Sequence, residues 1–109
     1  MTRDIPLGDV IATRELAFTH NEGGTDKVMV SIGRPICVDH AQQEWWCPYL
    51  IKSKSFEIKF RAVGGDSMQA LILGVQIISA QLHALARDYK GSFSYLGSRD
   101  LHFPEQSHT

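Results

Sequence analysis

Residues Asp66 to Lys90 read DSMQALILGVQIISAQLHALARDYK, the one long apolar stretch in the chain. Leu71, Val75, Ile78, Leu82, Leu85 and Tyr89 recur at steps of four and three, which places them on one helix face. Leu73, Ile77, Ala80 and Ala84 widen that face. Asp66 suits the N-cap, because its carboxylate can accept from the unpaired amides of the first turn. Gln69, three residues on, can reach back toward the cap, and Gly64-Gly65 allow a sharp entry. Gly91 is the expected left-handed residue past the end, with Arg87 and Lys90 in the last turn, where cations suit the dipole. About 25 residues span roughly 37 Å of helix. A rod this long and apolar must be covered by a sheet or a partner.

The preceding residues supply the sheet. Asp9 to His20 reads as a strand with Val10, Ala12, Leu16 and Phe18 on one face and Thr13, Glu15 and Thr19 on the other. Arg14 interrupts the apolar face. It is expected to lie near a strand end with its head in water, the alternative being a buried cation paired with a carboxylate. Asn21 to Asp26 is a turn by composition and makes a hairpin with a second strand, Lys27 to Cys37. Pro35 fits an edge or strand end. Val38 to Glu44 is a polar connection. The third strand, Trp45 to Lys52, puts Trp45, Cys47, Tyr49 and Ile51 on the core face and Trp46 and Leu50 on the other, with Pro48 marking an edge or bulge. Phe56 to Ala62 alternates Phe56, Ile58, Phe60 and Ala62 with Glu57, Lys59 and Arg61, one dry face and one wet. After the helix, Phe93 to Phe103 is too apolar for a free tail, and a short strand is expected near Phe93 to Leu96. Residues 1–8 and 104–109 are expected to fray. The expected fold is a single α+β domain over residues 1–109. A four-stranded antiparallel meander carries one long helix on one face, followed by an apolar C-terminal tail.

A chain of 109 residues is large enough for one core. Its net charge of −1 argues against a strongly basic nucleic-acid binder and against an acidic nucleic-acid mimic. Cys37 and Cys47 lack any CxxC pairing and read as reduced thiols. The first ten residues hold no apolar signal-like run, and Gln76, Gln81, His83, Arg87 and Asp88 make one side of the helix polar. A cytoplasmic protein without membrane or nucleic-acid partners is therefore expected.

No catalytic, cofactor or metal motif emerges. His20, His40, His83, His102 and His108 show no i, i+4 ligand pair and no HExxH. Cys47, in a strand between Trp46 and Pro48, reads as a core thiol rather than a nucleophile. Gly64-Gly65-Asp66-Ser67 opens a helix, but Asp66 itself occupies the anion position, and no phosphate-loop lysine follows.

Three segments carry a resemblance: Trp45-x-Cys47-Pro48-Tyr49-x-Ile51, then Gly65-Asp66-Ser67-Met68-Gln69-Ala70-Leu71, then Asp100-Leu101-His102-Phe103-Pro104. In this order they resemble a small bacterial family of unknown function with W-x-C-P-Y-x-I, G-x-D-S-x-Q-A-L and D-L-G-F-P motifs. This chain departs at His102, where the pattern has glycine. Proteins of this general appearance are similar to immunity proteins encoded beside bacterial polymorphic toxins, including Rhs and type VI effectors. That resemblance implies a non-enzymatic antitoxin that covers a cognate toxin domain, with no cofactor.

The surface expected to bind such a partner comprises Asp39, His40, Gln43, Glu44 and Trp46, together with the outward Glu57, Lys59 and Arg61. Trp46 either stands exposed or is covered by the C-terminal tail. Two other classes stay open: a small enzyme or ligand binder using Cys47 or the histidines, and a structural dimerisation module using Leu50, Trp46 or the helix. Oligomeric state is left open.

Overall fold

The computed structural model of the chain describes residues 6–104. Six strands and one helix follow in order: β1 (Val10–His20), β2 (Thr25–Gly33), β3 (Ile36–Asp39), β4 (Glu44–Lys52), β5 (Glu57–Gly64), α1 (Ser67–Asp88) and β6 (Gly91–Ser94). The architecture is α+β with a single antiparallel sheet, but the sheet has six strands rather than four.

The two added strands arise differently. β2 ends at Gly33, and the chain resumes beyond Pro35 as β3, so the expected second strand and part of the polar connection form one interrupted ribbon beside β4. Tyr49 to Lys52 pair with β2, while Trp45 and Trp46 pair with β3. Pro48, which has no amide proton, lies at the changeover. There the Cys47 thiol reaches the Gly33 carbonyl at 3.7 Å. β6 is the short strand expected after the helix, placed slightly earlier in the chain. It extends the sheet by pairing with β1, Phe18 opposite Phe93. The order is thus β5, β4, the β2/β3 ribbon, β1, β6.

The helix begins as expected. Asp66 Oδ1 accepts from the Gln69 amide at 2.7 Å, and Gln69 Oε1 accepts from the Gly65 amide at 2.5 Å. Its buried stripe differs from the predicted one. Ala70, Gly74, Ile78, Leu82 and Leu85 are buried, whereas Leu71 and Val75 flank the stripe and Tyr89 is partly exposed. The small residues are innermost because the helix approaches the sheet closely: a Cβ on Gly74 would lie 3.1 Å from Cys47 Sγ. Lys90, not Gly91, takes the left-handed position after the helix, with φ 53°. Gly91 is needed for another reason, since a side chain there would run into the Phe18 ring and the Thr19 carbonyl. By length and composition the helix is also apolar enough to cross a membrane. Here it lies on the sheet, with Met68 and Ile72 exposed on its outer side.

The core between helix and sheet holds Leu16, Phe18, Val28, Val30, Cys47, Tyr49, Ile51 and Ala62. An aromatic knot closes the end where α1 stops. Phe18 meets Phe56 edge-on at 5.5 Å and Phe93 at 4.8 Å, and Phe56 meets Tyr89 at 5.1 Å. Phe60 breaks the dry-face expectation. It is 46% exposed, because β5 is an edge strand and its ring turns toward Arg61, 4.4 Å from the guanidinium carbon.

Arg14 takes neither expected role. It stays on the helix side and clamps the C-terminal segment, donating from Nη1 to the carbonyls of Leu101 (3.0 Å) and His102 (2.9 Å). The rings of Tyr95 and Phe103 lie 4.9 and 4.8 Å from its guanidinium carbon. The chain before β1 is also docked. The Leu7 carbonyl sits so close to Gly33 that no side chain fits there, and Arg34 donates its amide to Asp9. Of the ends expected to fray, Leu7 thus lies against Gly33, while residues 1–5 and 105–109 lie outside the described residues.

Candidate functional site

Because Arg14 holds Leu101 and His102 on the helix side, the described residues of the tail do not cover Trp46. The face of the sheet away from the helix carries a row of directly opposed residues from three strands: Ile36 of β3 beside Trp46 of β4, and Trp46 beside Val63 of β5. Ile36 is 39% and Val63 44% exposed, and Trp46 is half-buried. The strands are antiparallel and in register, so these three side chains project from one rigid platform.

Two polar groups orient the tryptophan. Its indole Nε1 donates to Glu44 Oε2 at 2.7 Å. Arg61 lies with its guanidinium carbon 4.6 Å from the Trp46 ring centre, and the Phe60 ring flanks the same guanidinium. Arg61 Nε is buried and has no hydrogen-bond partner among the described residues. Two carboxylates of this face have other partners. Glu44 holds the indole, and Glu57 pairs with Lys52 at 3.5 Å.

The hairpin between β3 and β4 extends this face. Asp39 Oδ1 accepts from the Gln42 amide at 3.1 Å, and Gln43 closes the turn with φ 50°. His40 Nδ1 stands 3.5 Å from Cys37 Sγ. Asp39, His40 and Gln43 are exposed at the hairpin tip, and Glu44 leads into the strand. The structure thus gathers Glu44, Trp46 and Arg61 into one cluster and puts Glu57 and Lys59 further along the same face. Asp39, His40 and Gln43 form the adjoining tip. The sequence missed Ile36 and Val63. Residues at 36 and 46 sit opposite only because Gly33–Pro35 interrupts the ribbon, and nothing in the local pattern announces that register.

Other chemistry-bearing groups are placed for structure. Burial pushes the Cys47 thiol up to about 11, so it is almost wholly protonated at neutral pH. Asp26 accepts from His20 Nε2 at 2.9 Å and from Ser55 Oγ at 2.7 Å. Ser, Asp and His are the residue types of a hydrolytic triad, but here the carboxylate stands between the other two. The imidazole does not touch the hydroxyl, and the trio pins the β1–β2 hairpin to the turn before β5. Tyr49 is buried against the helix, and its hydroxyl accepts from Gln81 at 3.5 Å; burial raises its pKa. Among the described residues no three His, Cys, Asp or Glu side chains converge as a metal site. A cavity of about 240 Å³ remains beside Arg14 between Val75, Ile32 and Phe103.

A family model described as a domain of unknown function, DUF6968, matches residues 12–105. The chain belongs to that family. The match takes in the helix and all of the sheet except the first two residues of β1, and so includes the Ile36–Trp46–Val63 row. No curated protein and no solved structure matches the chain. His102, where the expected C-terminal pattern has glycine, holds φ 58°, a region glycine occupies without cost.

Proposed function

We propose that this DUF6968 protein is a binding protein of the immunity class, which neutralises a bacterial toxin domain by covering its active site. The observation that carries the reading is the outer-face cluster: a half-buried Trp46 fixed by Glu44 and Arg61, between exposed Ile36 and Val63. Tryptophan and arginine dominate binding energy when they sit at the centre of an interface on a rigid scaffold. A stable complex of this kind covers roughly 800 Å² per partner. The cluster with the Asp39–Gln43 tip and the Glu57–Arg61 strand forms a continuous face for such a partner. The buried thiol and the inverted Ser-Asp-His arrangement favour binding over catalysis.

The test is rescue. Cells expressing a toxin domain encoded beside this gene survive when the protein is co-expressed, and the two proteins copurify. Trp46→Ala abolishes rescue while leaving the thermal melt within a few degrees of wild type. Failure to rescue together with failure to bind overturns the reading.

Exposed Met68 and Ile72 favour a second reading, self-association through the helix. A monomeric mass in solution removes it.

A further inference from the structure

We infer that Arg61 is the anchor of the outer face and that its partner supplies a carboxylate side chain, aspartate or glutamate, flanked by apolar residues. This inference rests on the outer face being the binding surface. The guanidinium is held in place before any partner arrives, with Trp46 at 4.6 Å and Phe60 at 4.4 Å from its carbon. Its Nε is removed from water and donates to nothing among the described residues. A buried donor without an acceptor is costly, and an acceptor brought by a partner would remove that cost. The carboxylates within the same patch do not complete it: Glu44 holds the indole, Glu57 pairs with Lys52, and neither accepts from Arg61 Nε.

The surroundings choose the acceptor. A guanidinium fork matches a carboxylate in two parallel hydrogen bonds. A phosphate site normally gathers several cations or a row of free backbone amides. At the helix N-terminus of this chain the Asp66 carboxylate already holds the anion position, accepting from the Gln69 amide. Ile36, Val63 and Phe60, each exposed by more than a third, surround Arg61 and Trp46 with apolar surface. They would exclude water from the ion pair once covered, which strengthens it. The chemistry recognised is therefore a single acidic side chain in an apolar setting on another protein.

A displayed library of random peptides, selected against the full chain, tests this. Enriched peptides carry Asp or Glu beside apolar residues. Their affinity falls roughly 30-fold, the size of an interface hot spot, in Arg61→Met. Changing the peptide acid to its amide costs a similar factor, and the two changes together cost little more than either alone. Arg61→Lys restores part of the binding. Titration with an enriched peptide shifts the NMR signals of the Arg61 Nε–H and the Trp46 indole N–H. A thermal melt of each variant separates lost folding from lost binding.

Peptides that lack acids, or that bind Arg61→Met undiminished but lose Trp46→Ala, overturn the anchor and leave the face intact. Inorganic phosphate shifting the Arg61 signal while acidic peptides do not overturns the carboxylate in favour of a phosphate. Peptides that ignore both replacements, or an empty selection, count against the face itself.

Discussion

Replacing Arg14 by methionine should release the C-terminal segment. The side chain keeps its apolar stem but loses two hydrogen bonds, at 3.0 and 2.9 Å, and two ring contacts, at 4.9 and 4.8 Å. Bonds from a charged donor contribute about 1.5–3 kcal/mol each when dry. The Leu101 and His102 backbone is partly exposed, so water replaces much of that; about 0.5–1 kcal/mol each is a fairer figure. The ring contacts add about 0.5–1 kcal/mol each at such sites. The sum is about 2–4 kcal/mol for holding the tail. Amide exchange reads it directly. Tyr95 and Ser98 bond each other's backbone, and their amides should exchange at least about 30-fold faster in Arg14→Met. Amides of the β2–β4 centre should change far less. Arg14→Lys should fall between, since an ammonium keeps the charge but not the planar stack. Unchanged exchange at Tyr95 and Ser98 would refute the clamp.

Further outcomes follow from the same geometry. Gly74→Leu should destabilise by about 1–3 kcal/mol or more, seen as a lower melting temperature, because the side chain must enter a gap already closed to 3.1 Å by Cys47. Lys90→Gly should stabilise by about 0.5–1 kcal/mol in chemical denaturation, since the residue occupies φ 53°. Hydrogen bonds from His20 and then Ser55 hold Asp26 below its ordinary value of 3.8. Its contribution to stability is therefore full above that value and disappears as pH falls through the lowered one. The stability gap between wild type and Asp26→Asn should accordingly shrink in denaturant titrations below about pH 4. With its thiol pushed to about 11, Cys47 is about one part in a thousand thiolate at pH 8. A thiol reagent should label Cys37 first and reach Cys47 only on unfolding.

The helix and the alternating strands were legible because each rests on contacts within a few residues: the Asp66 cap, the step of three and four, the two-residue alternation of β4. Errors came wherever distant segments meet. Ala70 and Gly74 look unimportant in a hydrophobic pattern, yet they are innermost because Cys47 and Ala62 approach from the sheet. Phe60 follows the dry-face pattern and is nonetheless half out, since an edge strand has no neighbour to cover it.

For the candidate site the division is sharper. That Trp45 and Trp46 point to opposite faces follows from strand geometry alone, and so does the shared face of Glu57, Lys59 and Arg61. Whether the C-terminal segment would cover Trp46 depended on where that segment went. That was settled by Arg14, whose two carbonyl partners lie at 101 and 102. The Ile36–Trp46–Val63 row depended on register across three strands, set by an interruption at Pro35. Local propensity specifies each element because its free energy comes from near neighbours. Register, coverage and exposure come from which surfaces exclude water from one another, and that is a property of the assembled fold.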